Sequence, residues 1–153
     1  MLLEINTPEG KIFEGKIEKV IIPTKVGEIC ILKNHQPLVS IVEPGIIKIK
    51  VSKKQHEEFI KGTKFLFEDE RLCVSVGSWV IYVSWSEIIV LTSTATSQID
   101  TDKMVLEKMK QDMEKHIEEI KIKWSLDDVE KAFLHLWKIT ADLKLHKIKK
   151  RNY

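Results

Sequence analysis

The chain has 153 residues, 43% of them apolar and 31% charged, and its 25 basic side chains exceed its 23 acidic ones by only two. Those fractions fit a soluble globular protein of one domain, or a domain of about 95 residues with an appendage, and they exclude polyanion binding by the molecule as a whole. No apolar run is long enough to span a bilayer, and the N-terminus enters strand-like sequence without a charged lead, apolar stretch and cleavage site, so the protein is expected to stay on the side of the membrane where it is made.

Residues 2–6, 11–13 and 16–22 mix apolar and polar positions, with Thr7-Pro8-Glu9-Gly10 and Gly15 between them. Proline presets the backbone and glycine tolerates positive φ, so both separators read as turns between short strands. Residues 20–45, VIIPTKVGEICILKNHQPLVSIVEPG, hold three of the four prolines and two of the six glycines among short Ile, Leu and Val runs. That density of punctuation predicts strands joined by specified turns. Ile46-Ile47-Lys48-Ile49-Lys50-Val51 alternates so as to bury one face and wet the other. Further strand-like runs occupy 57–61, 65–67, 72–76, 79–83 and 87–91. Strands recurring at this spacing predict an all-β sandwich or barrel over residues 1–91. Cys30 and Cys73 both fall in apolar strand-like runs without a partner at metal-ligand spacing, and are expected as buried free thiols in a reducing compartment.

Near residue 100 the pattern changes. Thr92-Ser93-Thr94-Ala95-Thr96-Ser97-Gln98-Ile99 is a polar joint, and from Asp102 to the C-terminus there is neither Gly nor Pro. Leu106, Met109, Met113, Ile117, Ile120 and Trp124 step by three or four and put one stripe on a first helix, with Asp100 as its N-cap and Asp102 in its first turn. Ser125-Leu126-Asp127-Asp128 has the form of a capping box. It opens a second stripe of Val129, Phe133, Leu136, Thr140 and Leu143, widened by Ala132 and Trp137. The short connection makes the helices antiparallel neighbours, so 100–153 is a helical hairpin appended to the β-sandwich across the joint at 92–99. Helices of this length are marginal alone in water, so their stripes need cover: each other, the sandwich, or a third surface.

No catalytic set stands out: there is no phosphate-binding glycine loop, nucleophile elbow or helical zinc motif, and the five histidines are scattered. An accessory, non-enzymatic role is expected. His35 in Asn34-His35-Gln36-Pro37 either hydrogen-bonds a tight turn or belongs to a partner surface. Trp124 and Trp137 read as core or interhelix packing. From Lys138 onward, Lys138, Lys144, Lys147, Lys149, Lys150 and Arg151 stand against Asp142 alone. Helix-dipole compensation explains part of this density, and an acidic protein surface is a fitting target for the rest.

Thr7-Pro8-Glu9-Gly10 with Phe13 and Gly15, residues 20–24, Gly27-Glu28-Ile29, Asn34-His35 with Pro37-Leu38, and Glu43-Pro44-Gly45 together resemble the epsilon-subunit family of F-type ATP synthases. The likeness is dense from residue 3 to about 51 and returns between 74 and 91. It implies a non-catalytic rotor component of a proton- or sodium-driven enzyme, whose β domain packs on the gamma subunit and rests on the ring of c subunits. The hairpin of that family either lies on the β domain or extends into the catalytic head and hinders ATP hydrolysis. By position, the resemblance implies that Thr24, Lys25, Val26, Gly27 and Glu28 face the c ring and that His35 lies towards gamma. Lys144, Lys147, Lys149, Lys150 and Arg151 would meet acidic loops of the beta subunits. The implied location is peripheral, on the cytoplasmic face of the bacterial inner membrane or, as an alternative, in the plastid stroma.

The chain departs from the family's pattern at several points. Cys30 stands where Gly is usual and Lys33 where Pro or another turn residue is common, and residues 52–71 form a longer connection. Some members bind ATP through Ile-Asp-x-x-Arg-Ala at the first helix. Here the run is Ile99-Asp100-Thr101-Asp102-Lys103-Met104, and Lys103 cannot reproduce the bidentate fork of Arg. Asp100 and Lys103 are thus a degenerate ATP site, and no cofactor is expected. A free-standing adaptor whose basic last helix binds nucleic acid or an acidic surface is the alternative function.

Overall fold

The computed structural model describes residues 1–52, 65–98, 101–120 and 126–151. The strand expected at 57–61, Asp100 and Trp124 lie outside the described residues. The strands are β1 (Leu2–Thr7), β2 (Gly10–Lys16), β3 (Lys19–Thr24), β4 (Gly27–Leu32), β5 (Leu38–Val42) and β6 (Gly45–Lys50). They continue as β7 (Leu66–Glu68), β8 (Arg71–Val76), β9 (Trp79–Val83), β10 (Glu87–Thr92) and β11 (Ala95–Thr96). Two helices follow, α1 (Lys103–Ile120) and α2 (Leu126–Arg151). The sequence thus specifies the expected β-sandwich followed by a two-helix hairpin.

The sheet runs β11-β8-β6-β3-β5-β9-β10-β1-β2, with β4 hung on β3 and β7 on β8. Only the β1–β10 ladder is parallel among the described pairs; it joins the first strand to the last long one. β3 ties the two halves together, since Lys19, Val20 and Ile21 pair with β6 while Thr24 pairs with Val42 of β5. Period-two alternation decides what enters the core: Leu3 and Ile5, Val20 and Ile22, Ile47 and Ile49, and Val90 are all fully buried. Phe13 and Phe65 close one end edge to face, with ring centroids 5.8 Å apart.

β8 breaks the alternation, for Leu72 through Val76 is buried without interruption. Leu72, Val74 and Val76 point between the sheet layers, whereas Cys73 belongs to a second cluster with Leu66, Leu106, Leu145 and Ile148. The second face is covered because α2 lies on β6, β7 and β8 and α1 packs on α2. A strand buried on both sides needs no polar row. The hairpin is therefore folded down on the sandwich.

Several expectations change. Cys30 is exposed, because β4 is a border strand whose alternate positions turn outward while Ile31 is buried. The helix cap moves from Asp100 to Asp102, whose carbonyl accepts the amides of Val105 at 3.0 Å and Leu106 at 3.2 Å. Met109 is half exposed, so among the described side chains the covered stripe of α1 narrows to Leu106, Met113 and Ile117. On α2 the buried positions are Lys138, Ile139, Ala141, Leu145 and Ile148, while the expected stripe is half-buried and Trp137 is 47% exposed. α2 touches a helix and a sheet at once, so it carries two apolar sides, and a reading of one stripe misplaces both.

The joint also differs. Ala95 and Thr96 pair with Val76 and Ser75, the Gly77 amide donates to the Thr94 carbonyl at 2.9 Å, and the Ser93 amide donates to the Ser78 carbonyl at 3.1 Å. A Cβ at Gly77 would overlap the Ser93 hydroxyl, so glycine is what lets the two segments close. The first half of the joint is thereby part of the sheet, which extends five residues beyond the boundary at 91.

Candidate docking surfaces

The β3–β4 connection is a two-residue turn. Thr24 pairs with Gly27, its hydroxyl donates to the Gly27 carbonyl at 2.6 Å, and Gly27 takes a φ of +112°, which favours glycine. Thr24 is buried, while Lys25, Val26, Gly27 and Glu28 are exposed, Val26 at 86%. The Lys25 amide donates to Ile41 and the Glu43 amide to Pro23, so β5 braces the base of the turn. The result is a rigid tip with one apolar side chain at its apex and charges on either side. The group expected as one loop is thus a two-residue turn, Lys25 and Val26, with the strand ends that flank it, Thr24 in β3 and Gly27 and Glu28 in β4.

His35 lies in the next connection. Its amide donates to the Leu32 carbonyl at 3.1 Å, Asn34 adopts a φ of +66°, and Nδ1 hydrogen-bonds the Gln36 carbonyl at 2.8 Å. Asparagine tolerates that left-handed conformation better than most residues. The ring is half-buried and tied to its own turn, which accounts for the Asn-His-Gln-Pro sequence.

Four residues beyond His35 begins a surface that the turn signals did not reveal. Val39 pairs with Tyr82, which pairs with Ile89; Ile41 pairs with Val80, which pairs with Leu91. The two rows cross β5, β9 and β10 on the side away from the core. Val39 is 68% exposed, Ile41 52%, Tyr82 48% and Leu91 42%. The intervening Ile81, Val83, Ile88 and Val90 point inward and are buried. A contiguous apolar patch of this kind is uncommon on a surface that stays in water. Its signal was available in Leu38-Val39-Ser40-Ile41-Val42 and Trp79-Val80-Ile81-Tyr82-Val83, where both parities are largely apolar and so both faces call for cover.

On the opposite side, Glu28, Lys48, Glu68, Lys144, Lys147 and Ile148 line a cleft of about 400 Å³ between the sandwich and α2. Lys48 meets Glu68 at 2.7 Å, and that bond raises the ammonium above its ordinary pKa. Lys144 and Lys147 are exposed and Lys149 is half-buried. The side chains of Lys150 and Arg151 lie outside the described residues. The structure therefore brings Glu28, from the β3–β4 tip, into one cleft with two of the tail lysines. Lys103 opens α1 and pairs with Glu107 at 2.7 Å, a bond that lowers the pKa of that carboxyl. Among the described residues no cluster of His, Cys, Asp or Glu is placed to hold a metal, and no helix is long and apolar enough to cross a membrane.

A sandwich with a bare apolar face, a rigid exposed tip and a helical hairpin laid on its other side defines a binding subunit that works by docking. Residues 1–82 match the family model described as ATP synthase, Delta/Epsilon chain, beta-sandwich domain. The chain is 34% identical over 116 residues to the ATP synthase epsilon chain of Persephonella marina, covering 73% of this chain and 74% of that one. It is 30% identical over 110 residues to the epsilon chain of Campylobacter curvus, covering 72% and 82% respectively. The fold is shared with a chain in the Euglena gracilis mitochondrial ATP synthase, OSCP/F1/c-ring, at a TM-score of 0.66 and 15% identity over 92% of this chain and 78% of that one. The protein belongs to the ATP synthase delta/epsilon family and is similar over 72–86% of its length to epsilon chains: a non-catalytic central-stalk subunit of the F-type enzyme.

Proposed function

We propose that this subunit couples gamma to the c ring through two surfaces held in fixed relation by the sandwich. The apolar rows of β5, β9 and β10 receive gamma, with His35 at their margin. Lys25, Val26, Gly27 and Glu28 at the β3–β4 tip meet the c ring, and Thr24 anchors that tip. The single observation that supports this reading best is the Val39-Tyr82-Ile89 and Ile41-Val80-Leu91 patch, which is too apolar and too contiguous to serve in water. The rotor side of the complex would then sit on the cytoplasmic face of the bacterial membrane, peripheral to it.

The hairpin is the regulatory part. Released from the sandwich, it extends along gamma and hinders ATP hydrolysis, with Lys144, Lys147, Lys149, Lys150 and Arg151 meeting acidic beta-subunit loops. ATP does not control it, since Lys103 replaces the Arg of ATP-binding relatives and is engaged by Glu107. The adaptor alternative is less favoured, because Lys144 and Lys147 line a cleft with Glu28 and Glu68 rather than an uninterrupted basic surface.

Co-expression with the cognate gamma subunit tests the first claim: the two should co-elute as a stable pair at micromolar concentration, and separate elution would overturn it. Truncation after Gln98 tests the second. The truncated chain should still bind gamma while hydrolysis by the complex rises, and unchanged hydrolysis would remove the inhibitory role.

A further inference from the structure

Where α2 crosses the edge of the sheet, Lys138 is buried, with its Nζ 2.6 Å from Asp142 Oδ1 and 3.2 Å from the hydroxyl of Thr96. The two charged side chains retain only 11% and 18% of their exposure. Thr96 stands opposite Ser75 in the β11–β8 ladder, and Ser75 is fully buried with no hydrogen-bond partner for its Oγ among the described residues. Beside this polar patch, Leu145 and Ile148 pack on Leu66, Cys73 and Ile46.

The obvious reading makes Lys138 a latch, but the connectivity argues otherwise. Lys138 and Asp142 are four residues apart on one helix, so their attraction persists whether α2 is docked or free. Docking adds a single hydrogen bond to a neutral hydroxyl and removes water from two charges. Such desolvation commonly exceeds what the added contact returns, and replacing a buried pair by apolar residues of similar volume is often stabilising. The Ser75 hydroxyl loses its hydration on docking as well. Apolar contact drives the seat, and this patch opposes it.

We propose that Lys138, Asp142 and Ser75 form a built-in weakness in the hairpin's seat that keeps its docking on the sandwich readily reversible. The inference rests on the reading above that the hairpin leaves the sandwich, and it names what sets the ease of departure.

The test uses the full chain carrying Cys30→Ser, which leaves Cys73 as the one thiol. Cys73 is fully buried beneath Leu106, Leu145 and Ile148, so its labelling by a maleimide reports opening of the seat. Lys138→Met with Asp142→Leu should slow labelling about tenfold or more. Lys138→Met alone strands Asp142 and should speed it by a similar factor, and Ser75→Ala should slow it about threefold. Labelling of the double variant at or above the parental rate overturns the proposal. Should that variant fail to fold, Ser75→Ala labelling at or above the parental rate overturns it instead. If the parent labels only in urea concentrations that melt the strands, the mobile-hairpin reading falls and takes this one with it. If the parent labels in native buffer and no variant slows it, only the built-in weakness is refuted.

Discussion

The apolar cluster between the sheet layers draws on strands from Leu3 to Val90, and most of its members have no exposed surface. The cluster beneath the hairpin consists of Leu66, Cys73, Leu106, Leu145 and Ile148, with Ile46 and Leu143 at its edge. The buried hydroxyls beside the first, Thr24 and Thr92, both donate to carbonyls, whereas the second borders a buried ion pair and the unpartnered hydroxyl of Ser75. At about 1.5–3 kcal/mol for each large side chain buried, Leu66, Leu106, Leu145 and Ile148 together gain about 6–12 kcal/mol before the cost of ordering two helices is subtracted, far less than the inner cluster gains. One chain thus builds one assembly to last and another to be undone. A coupling subunit needs both properties, a body that holds its docking surfaces in place and an arm that can move without disturbing them.

Mutations can break this contrast in order of size. Ile81→Ala in the inner cluster should cost about 2–5 kcal/mol and lower the melting temperature of the whole sandwich. Leu145→Ala should cost about 2–3 kcal/mol, but only locally. Cys73 should label at least about thirtyfold faster while the melting of the strands stays where it was. If Leu145→Ala lowers the melting of the strands as much as Ile81→Ala does, the two clusters are one cooperative unit.

Tyr82→Ala probes the bare face rather than either cluster. Tyr82 is 48% exposed in the middle of the apolar rows, so its loss should leave stability nearly unchanged and weaken gamma binding by about 2 kcal/mol, near thirtyfold. Unaltered affinity by titration calorimetry would move the gamma site elsewhere. The smallest effect is that of pH. Burial pushes the Cys73 thiol up to about 12 from its ordinary 9.0, so the seated hairpin favours the neutral form. This contribution is complete below pH 9 and is lost as pH rises towards 12. Between pH 9 and 10 the open state should gain about 1 kcal/mol, or roughly fivefold, in limited proteolysis of the hairpin, and Cys73→Ala should cancel that part of the response.

The strands with strict alternation were legible in the sequence, as were the turns that glycine, proline and asparagine specify. Gly27 and Asn34 sit at the positive φ values their turns require. The boundary between strand and helix periods was equally plain. What escaped was everything set by contact between modules. Cys73 and Ser75 look like half of an ordinary strand until α2 covers them, and Cys30 looks buried until β4 proves to be a border strand. The buried stripe through Ala141, Leu145 and Ile148 was hidden because α2 is apolar on two sides. Tip residues such as Val26 were singled out only through the resemblance, while the face around Tyr82 required the register of three strands that are remote in sequence.

Native-state hydrogen exchange on the full chain measures the contrast between the two assemblies most directly. Amides of Lys103–Ile120 and Leu126–Arg151 should exchange through a common opening that lies several kcal/mol below the opening of β8 and β9, whose protection should follow global unfolding. A single opening free energy shared by helices and strands would contradict the account, because the hairpin would then be a permanent part of the sandwich.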